Sequence, residues 1–214
     1  VPHFAKAPGG FVEKIAPFVQ VIAYEPNEYI LREGVENNKI FWLLKGTCQC
    51  IKMLPFTKKT LNQTYAGKNV QVSPFIAGET VLEPGEEFFY EFVTTHEVEV
   101  GDNFVDLPVP TGGSLTEHCF YINKKDYLEQ LKIEDPSDLN SKAAVSIVAK
   151  TKVEAICMNR VDYANMATSE MILSIINSKD IYRIPLLQLQ ESYLTSRKWN
   201  AYKKKVVADV VKPK

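Results

Sequence analysis

The sequence predicts an α+β chain whose β-rich middle is flanked by helices. Hydrophobic residues recur at helical spacing near the start and again after about residue 160. Between these ends, short strand-like runs are separated by turn residues every few positions, the pattern of a sandwich or barrel. With 214 residues, 45% hydrophobic and 24% charged, the chain has the composition of one generous globular domain or of one domain with insertions.

Residues 11–18 read as a short helix, with Phe11, Ile15 and Phe18 on one face and Pro17 weakening the last turn. Residues 19–24, 29–32, 40–44 and 47–53 read as strands. Pro26-Asn27, Glu33-Gly34 and Lys45-Gly46 supply the turns between them. The β pattern resumes at 97–100, 144–149 and 153–158. Helix then runs from about Arg160 to the C-terminus, broken near Ile184-Pro185. Residues 54–95 and 108–141 fit neither period and are rich in Pro and Gly. At that length they are expected to be insertions exposed at the surface.

The net charge of −1 conceals a strong asymmetry. Residues 77–106 hold nine acids (Glu79, Glu83, Glu86, Glu87, Glu91, Glu97, Glu99, Asp102 and Asp106) and no Lys or Arg. The last eighteen residues carry a net +6, through Arg197, Lys198, Lys203, Lys204, Lys205, Lys212 and Lys214 against Asp209. That polarity points to a protein partner or intramolecular docking and away from nucleic acid. The spacing of Trp199, Tyr202, Val206, Val207 and Val210 draws an apolar stripe along the same basic helix.

No run of about 18 residues is free of charge, so no membrane span is expected. The opening residues lack an apolar core, so no signal peptide is expected; the missing initiator Met suggests a fragment or processed chain. Cys48, Cys50, Cys119 and Cys157 are too few for a disulfide scaffold, which predicts buried thiols in a reducing, cytoplasmic compartment. The scattered His3, His96 and His118 argue against zinc, and no metal ligand set is expected. A metal enzyme of the cupin class would need clustered histidines. The G-x-S-x-G, P-loop and H-E-x-x-H signatures are also missing, so the chain is expected not to be an enzyme.

Two segments, Tyr24-Glu-Pro-Asn-Glu-Tyr-Ile-Leu-Arg-Glu-Gly34 and Lys39-Ile-Phe-Trp-Leu-Leu-Lys-Gly46, resemble strand-turn-strand signatures of the cyclic-nucleotide-binding domain. Glu99-Val-Gly-Asp-Asn-Phe104 resembles the "G-D-x-F" leading into that family's phosphate-binding cassette. Residues 144–149 and 155–163 are similar to its last strands and the helix behind them. The resemblance implies an antiparallel, jelly-roll-like β-roll of about eight strands, with a short N-terminal helix and C-terminal helices. It covers residues 1–175, interrupted by insertions at 54–95 and 108–141, with 176–214 as a C-terminal helical extension. The tail is similar to that of divergent members from sperm and cilia, which leans towards a cilium or flagellum.

In the family, a short helix after "F-G-E" turns backbone N–H groups to the cyclic phosphate, Glu holds the ribose 2′-hydroxyl, and an Arg before the next strand pairs with the phosphate. The candidate nucleotide-binding residues matching that cassette are Gly101, Asp102, Phe104, Val105, Asp106, Lys142, Ala143, Ala144 and Ser146. They depart from it in four ways. Val105 replaces the Gly, and Asp106 the Glu. Pro108 and Pro110 remove N–H donors. The Arg position falls on Ala143 if Ser146-Ile147 matches the family's "T-V", or on Lys142 if Ala143-Ala144 matches its "A-A". Losing a buried ion pair costs roughly 2–5 kcal/mol, which weakens binding by about thirtyfold to several thousandfold. The expected function is therefore a regulatory or scaffolding module with a degenerate cassette, a protein partner and no cofactor beyond weak cyclic AMP or cyclic GMP. The alternative is a working receptor whose phosphate is neutralised by Lys142, or by Lys124 or Lys125.

Overall fold

The computed structural model describes Phe4, Lys125 and residues 7–64, 67–104, 142–177 and 184–211. Helix α1 (Phe11–Ile15) continues into a 3-10 turn, Ala16–Phe18, where Pro17 occupies an opening position that needs no N–H donor. The strands are β1 (Gln20–Tyr24), β2 (Tyr29–Leu31), β3 (Lys39–Lys45), β4 (Cys48–Thr64), β5 (Gly67–Pro74), β6 (Glu86–Val98), β7 (Asn103–Phe104), β8 (Ser146–Ala149) and β9 (Val153–Asn159). Helices α2 (Arg160–Met166), α3 (Ser169–Asn177) and α4 (Leu186–Val211) follow. This is the expected α+β architecture, antiparallel throughout the registered ladders, with a short N-terminal helix and C-terminal helices.

The chain forms two compact units. The first comprises Val1–Lys52 and Thr94–Arg183. In it β1, β9, β3 and β7 make one sheet in that order, while β2, β8 and the start of β4 make a second ladder. Strand β3 explains how the core divides. Its central Ile40-Phe-Trp-Leu43 stretch is buried on both faces, as continuous apolar strands usually are. Ile40 and Trp42 face α1, α2 and α3, packing with Phe11, Ile15, Tyr163 and Ile172. Phe41 and Leu43 point the other way, among Cys48, Cys50, Phe104, Ile147 and Cys157. Cys48, Cys50 and Cys157 are buried free thiols. The side chain of Asn159 caps α2 by accepting from the Val161 N–H at 2.8 Å.

The second unit comprises Met53–Val93 and Ile184–Lys214. The rest of β4 pairs with β5 in a register that sets Lys58 opposite Val72 and Thr60 opposite Val70, and β6 also pairs with β4. One face of these strands carries Phe56 and Phe89, stacked at 5.9 Å. Tyr193 of α4 lies against Phe56 at 5.4 Å, and the buried Gln190 donates through Nε2 to the carbonyls of Pro55 at 2.5 Å and Phe75 at 3.0 Å.

Residues 54–95, which fit neither period in the sequence, are largely strand. Polar runs such as Thr57-Lys-Lys-Thr60 hide the period because part of their surface faces water. Pro55 interrupts the apolar pattern, yet its carbonyl still accepts a hydrogen bond from Gln190. The observed division also groups 53–93 with α4, whereas the sequence suggested an insertion and a separate extension at 176–214. The expected insertion at 108–141 lies outside the described residues, Lys125 excepted.

Candidate functional site

Three turns fix the mouth of the β-roll. Asn27 adopts φ 72°, the left-handed conformation that Asn tolerates better than most residues. Its N–H donates to the Ala149 carbonyl at 2.7 Å, while the Ala149 N–H donates to the Glu28 carbonyl at 2.9 Å. Gly34, at φ 77°, donates to the Ala143 carbonyl at 2.8 Å, and the Ala143 N–H returns a bond to the Val35 carbonyl at 2.8 Å. Gly46, at φ 88°, permits a close approach: a Cβ there would clash with the Lys152 carbonyl oxygen, at 2.3 Å.

The residues that lead into β8 are therefore held from both sides. The backbone of Lys142 bridges to Glu36, and Ala143 is buried with both backbone groups bonded. Ser146 is buried and its Oγ accepts from the Glu33 N–H at 2.9 Å. A cation not singled out in the sequence lies beside them. Lys52 donates through Nζ to the Ala144 carbonyl at 2.7 Å and lies 3.7 Å from the Glu33 carboxylate. Both side chains are 23% exposed, so each retains part of its hydration.

The "G-D-x-F" segment has a structural explanation at every described position. Gly101 turns at φ 96°; its N–H donates to the Leu43 carbonyl at 2.9 Å, and the Leu43 N–H donates to the Asp102 carbonyl at 3.0 Å. The Asp102 carboxylate accepts from the Glu99 N–H at 2.9 Å, closing the turn. Phe104 is fully buried and stacks on Phe41 at 5.2 Å with ring planes 11° apart, so it is a core residue. His96 lies nearby. Burial pushes its pKa down while the Asp102 charge pulls it up, with burial prevailing. Val105 and Asp106 lie outside the described residues.

The structure thus brings Lys142, Ala143, Ala144 and Ser146 together with Glu33 and Lys52. Gly101, Asp102 and Phe104 pack instead against β3. A sequence signal for Lys52 was available. Cys48 and Cys50 mark the inward positions of β4, and alternation puts Lys52 on the same face. Chemically the cluster offers two ammoniums: that of the half-buried Lys142 and that of Lys52, which is already satisfied by a carbonyl and a carboxylate. An incoming anion would have to displace Glu33 to pair with Lys52.

No protein-family model and no curated protein matches this sequence. The chain is similar in structure to regulatory cyclic-nucleotide-binding domains. One is the regulatory subunit of a cAMP-independent protein kinase A from Trypanosoma brucei, at 15% identity and a TM-score of 0.47, with 91% of this chain and 47% of that chain covered. The regulatory domain of the Toxoplasma gondii protein kinase A, solved with cAMP, is similar at 12% identity and a TM-score of 0.44, covering 83% and 45%. The catabolite activator protein of Thermus thermophilus is similar at 14% and 0.38, covering 97% and 62%. The chain spans about half the length of the first two.

Proposed function

We propose that this chain is a non-catalytic regulatory or scaffolding module that keeps a cyclic-nucleotide-type β-roll, binds cyclic nucleotide weakly or not at all, and acts through contacts with protein. The observation that carries this reading is the arrangement ahead of β8. Of the two positions that could match the phosphate-binding Arg, Ala143 is a buried methyl side chain and Lys142 is half-buried, with its backbone bridged to Glu36. The neighbouring partly buried cation, Lys52, is bound to Glu33 and the Ala144 carbonyl. An Arg–phosphate pair is planar and forked, and a single ammonium cannot reproduce that geometry.

Calorimetric titration with cyclic AMP and cyclic GMP, carried to millimolar ligand, tests the reading. Dissociation constants of about 0.1 mM or weaker are expected, on the scale of the lost ion pair. A constant at or below a micromolar overturns it in favour of a working receptor. Lys142→Ala and Lys52→Ala would then identify the phosphate counter-charge, each weakening binding by roughly tenfold or more if it serves that role.

A further inference from the structure

Helix α4 uses two different faces along its length. Near its start Gln190 is buried and Tyr193 and Leu194 are half-buried. From Thr195 through Ala208 every residue is exposed. Trp199 and Tyr202 follow Gln190 and Tyr193 by nine residues each, about two and a half turns. The exposed stripe therefore faces away from the docked side. Trp199 is 55% exposed, Tyr202 57%, and Val206, Val207 and Val210 are exposed with them. The two rings stack at 5.6 Å, with the Lys203 ammonium 5.2 Å from the Trp199 ring. A helical segment of this length without tertiary contacts is marginal in water, and its valines are weak helix formers. An apolar stripe of this size marks a surface that something covers.

A complementary surface lies on the same unit. In β6, Phe89, Glu91 and Val93 are half-buried, while Phe88, Tyr90 and Phe92 project from the opposite face and are exposed. Phe75, Phe88 and Tyr90 form an edge-to-face row at 4.8 Å spacings. The charges are complementary too. Residues 192–208 carry Arg197, Lys198, Lys203, Lys204 and Lys205 and no acid. Residues 79–91 carry Glu79, Glu83, Glu86, Glu87 and Glu91 and no base; Lys59 and Lys58 offset Glu83 and Glu87, and Glu91 lies on the docked face beside Tyr193, which leaves Glu79 and Glu86. Glu86 shares the outward face with the aromatic row, because alternate strand residues point the same way.

We propose that a second copy of this chain covers the stripe: the α4 stripe of one copy docks on the Phe88-Tyr90-Phe92 row of the other. In a two-fold pair the contact is made twice, and the assembly closes. Helix-to-helix pairing would set five cations against five, which disfavours it. Helix-to-sheet pairing sets cations against acids and aromatic rings against aromatic rings. The inference does not depend on the state of the nucleotide cassette, and its test contains no nucleotide.

Sedimentation equilibrium of the whole chain, at low and high salt, reads the association directly. A dimer is expected whose dissociation constant weakens tenfold or more between about 50 and 500 mM salt. The Lys203→Glu/Lys204→Glu/Lys205→Glu variant should be monomeric with unchanged circular dichroism, and so should Tyr90→Ser/Phe92→Ser. Mixing these two variants should restore association, because one intact helix-to-sheet contact remains between them. Should the aromatic variant fold poorly, Glu79→Lys/Glu86→Lys replaces it; combined in one chain with the three Lys→Glu changes, it should recover the dimer. A chain that is monomeric at every concentration overturns the proposal. So does a dimer that neither variant weakens, or a mixture of variants that fails to associate.

Discussion

At the scale of single residues, the informative positions are those where the backbone or a thiol is held in a costly state. Gly34 and Gly46 both have positive φ, but only Gly46 is crowded. No atom lies within 4 Å of a Cβ built on Gly34, whereas one on Gly46 meets the Lys152 carbonyl. Gly34→Ala should therefore cost about 1–2 kcal/mol from backbone strain alone. Gly46→Ala should cost roughly 3 kcal/mol or more, because backbone must move as well. Urea unfolding midpoints of the two variants check the order, and equal losses would show that the close approach is not real. The Cys48 and Cys50 thiols are pushed up to about 11 by burial, which disfavours the thiolate. In the unfolded chain they ionise near 9, so the unfolded state loses protons first as pH rises. Their contribution to stability is whole below about pH 9 and falls away between about 9 and 11. The loss is of order 2 kcal/mol per thiol at the upper end. Unfolding free energies at pH 8, 9.5 and 11 should decline more steeply in the native chain than in Cys48→Ala/Cys50→Ala.

At the scale of elements, much of the fold was legible because apolar period and turn chemistry agreed. The residue runs 19–24, 29–32, 40–44 and 153–158 became β1, β2, β3 and β9 with ends shifted by a residue or so. Asn27, Gly34 and Gly46 each occupy the left-handed turn that their residue types suggested. The long β4, β5 and β6 were not legible as a group. Lys, Thr and Glu are scattered along β4 and β6, and Pro and Gly are dense around the strands, so composition resembled a loop. A local signal did exist in β6, where Phe88, Tyr90 and Phe92 alternate through a run rich in strand formers. At the candidate site, the sequence identified the segment from Lys142 to Ser146 but missed Lys52 and Glu33. Those two reach it from β4 and from the turn after β2; alternation with Cys48 and Cys50 marks the face of Lys52 but not the distant segment it meets. From its spacing alone, the end of helix α4 is one amphipathic stripe. The periodicity of its stripe is real, but spacing alone cannot say whether a stripe faces its own sheet or water.

At the scale of the whole molecule, the division of α4 into a docked start and an exposed remainder makes two truncations behave differently. Ending the chain after Thr195 removes only the exposed run and the tail beyond it. It takes no described contact from Phe56, Pro55 or Phe75, so at concentrations where the whole chain is monomeric the melting temperature should change by a degree or two at most. Ending the chain after Arg183 removes Gln190 and Tyr193 as well. The carbonyls of Pro55 and Phe75 then lose their side-chain donor, and the ring of Phe56 loses one of its aromatic neighbours. Unsatisfied carbonyls and exposed apolar surface together should destabilise the second unit by roughly 3 kcal/mol or more. The first unit has its own clusters around Trp42 and Phe41, and among the described residues none of their members comes from 184–211. Hydrogen exchange should therefore accelerate in residues 53–64 and 86–93 of the shorter chain while β3 and β9 keep their protection. Equal loss of protection in β3 would show that the two units unfold as one. Full protection of 53–64 without α4 would show that the strands need no helix to cover them.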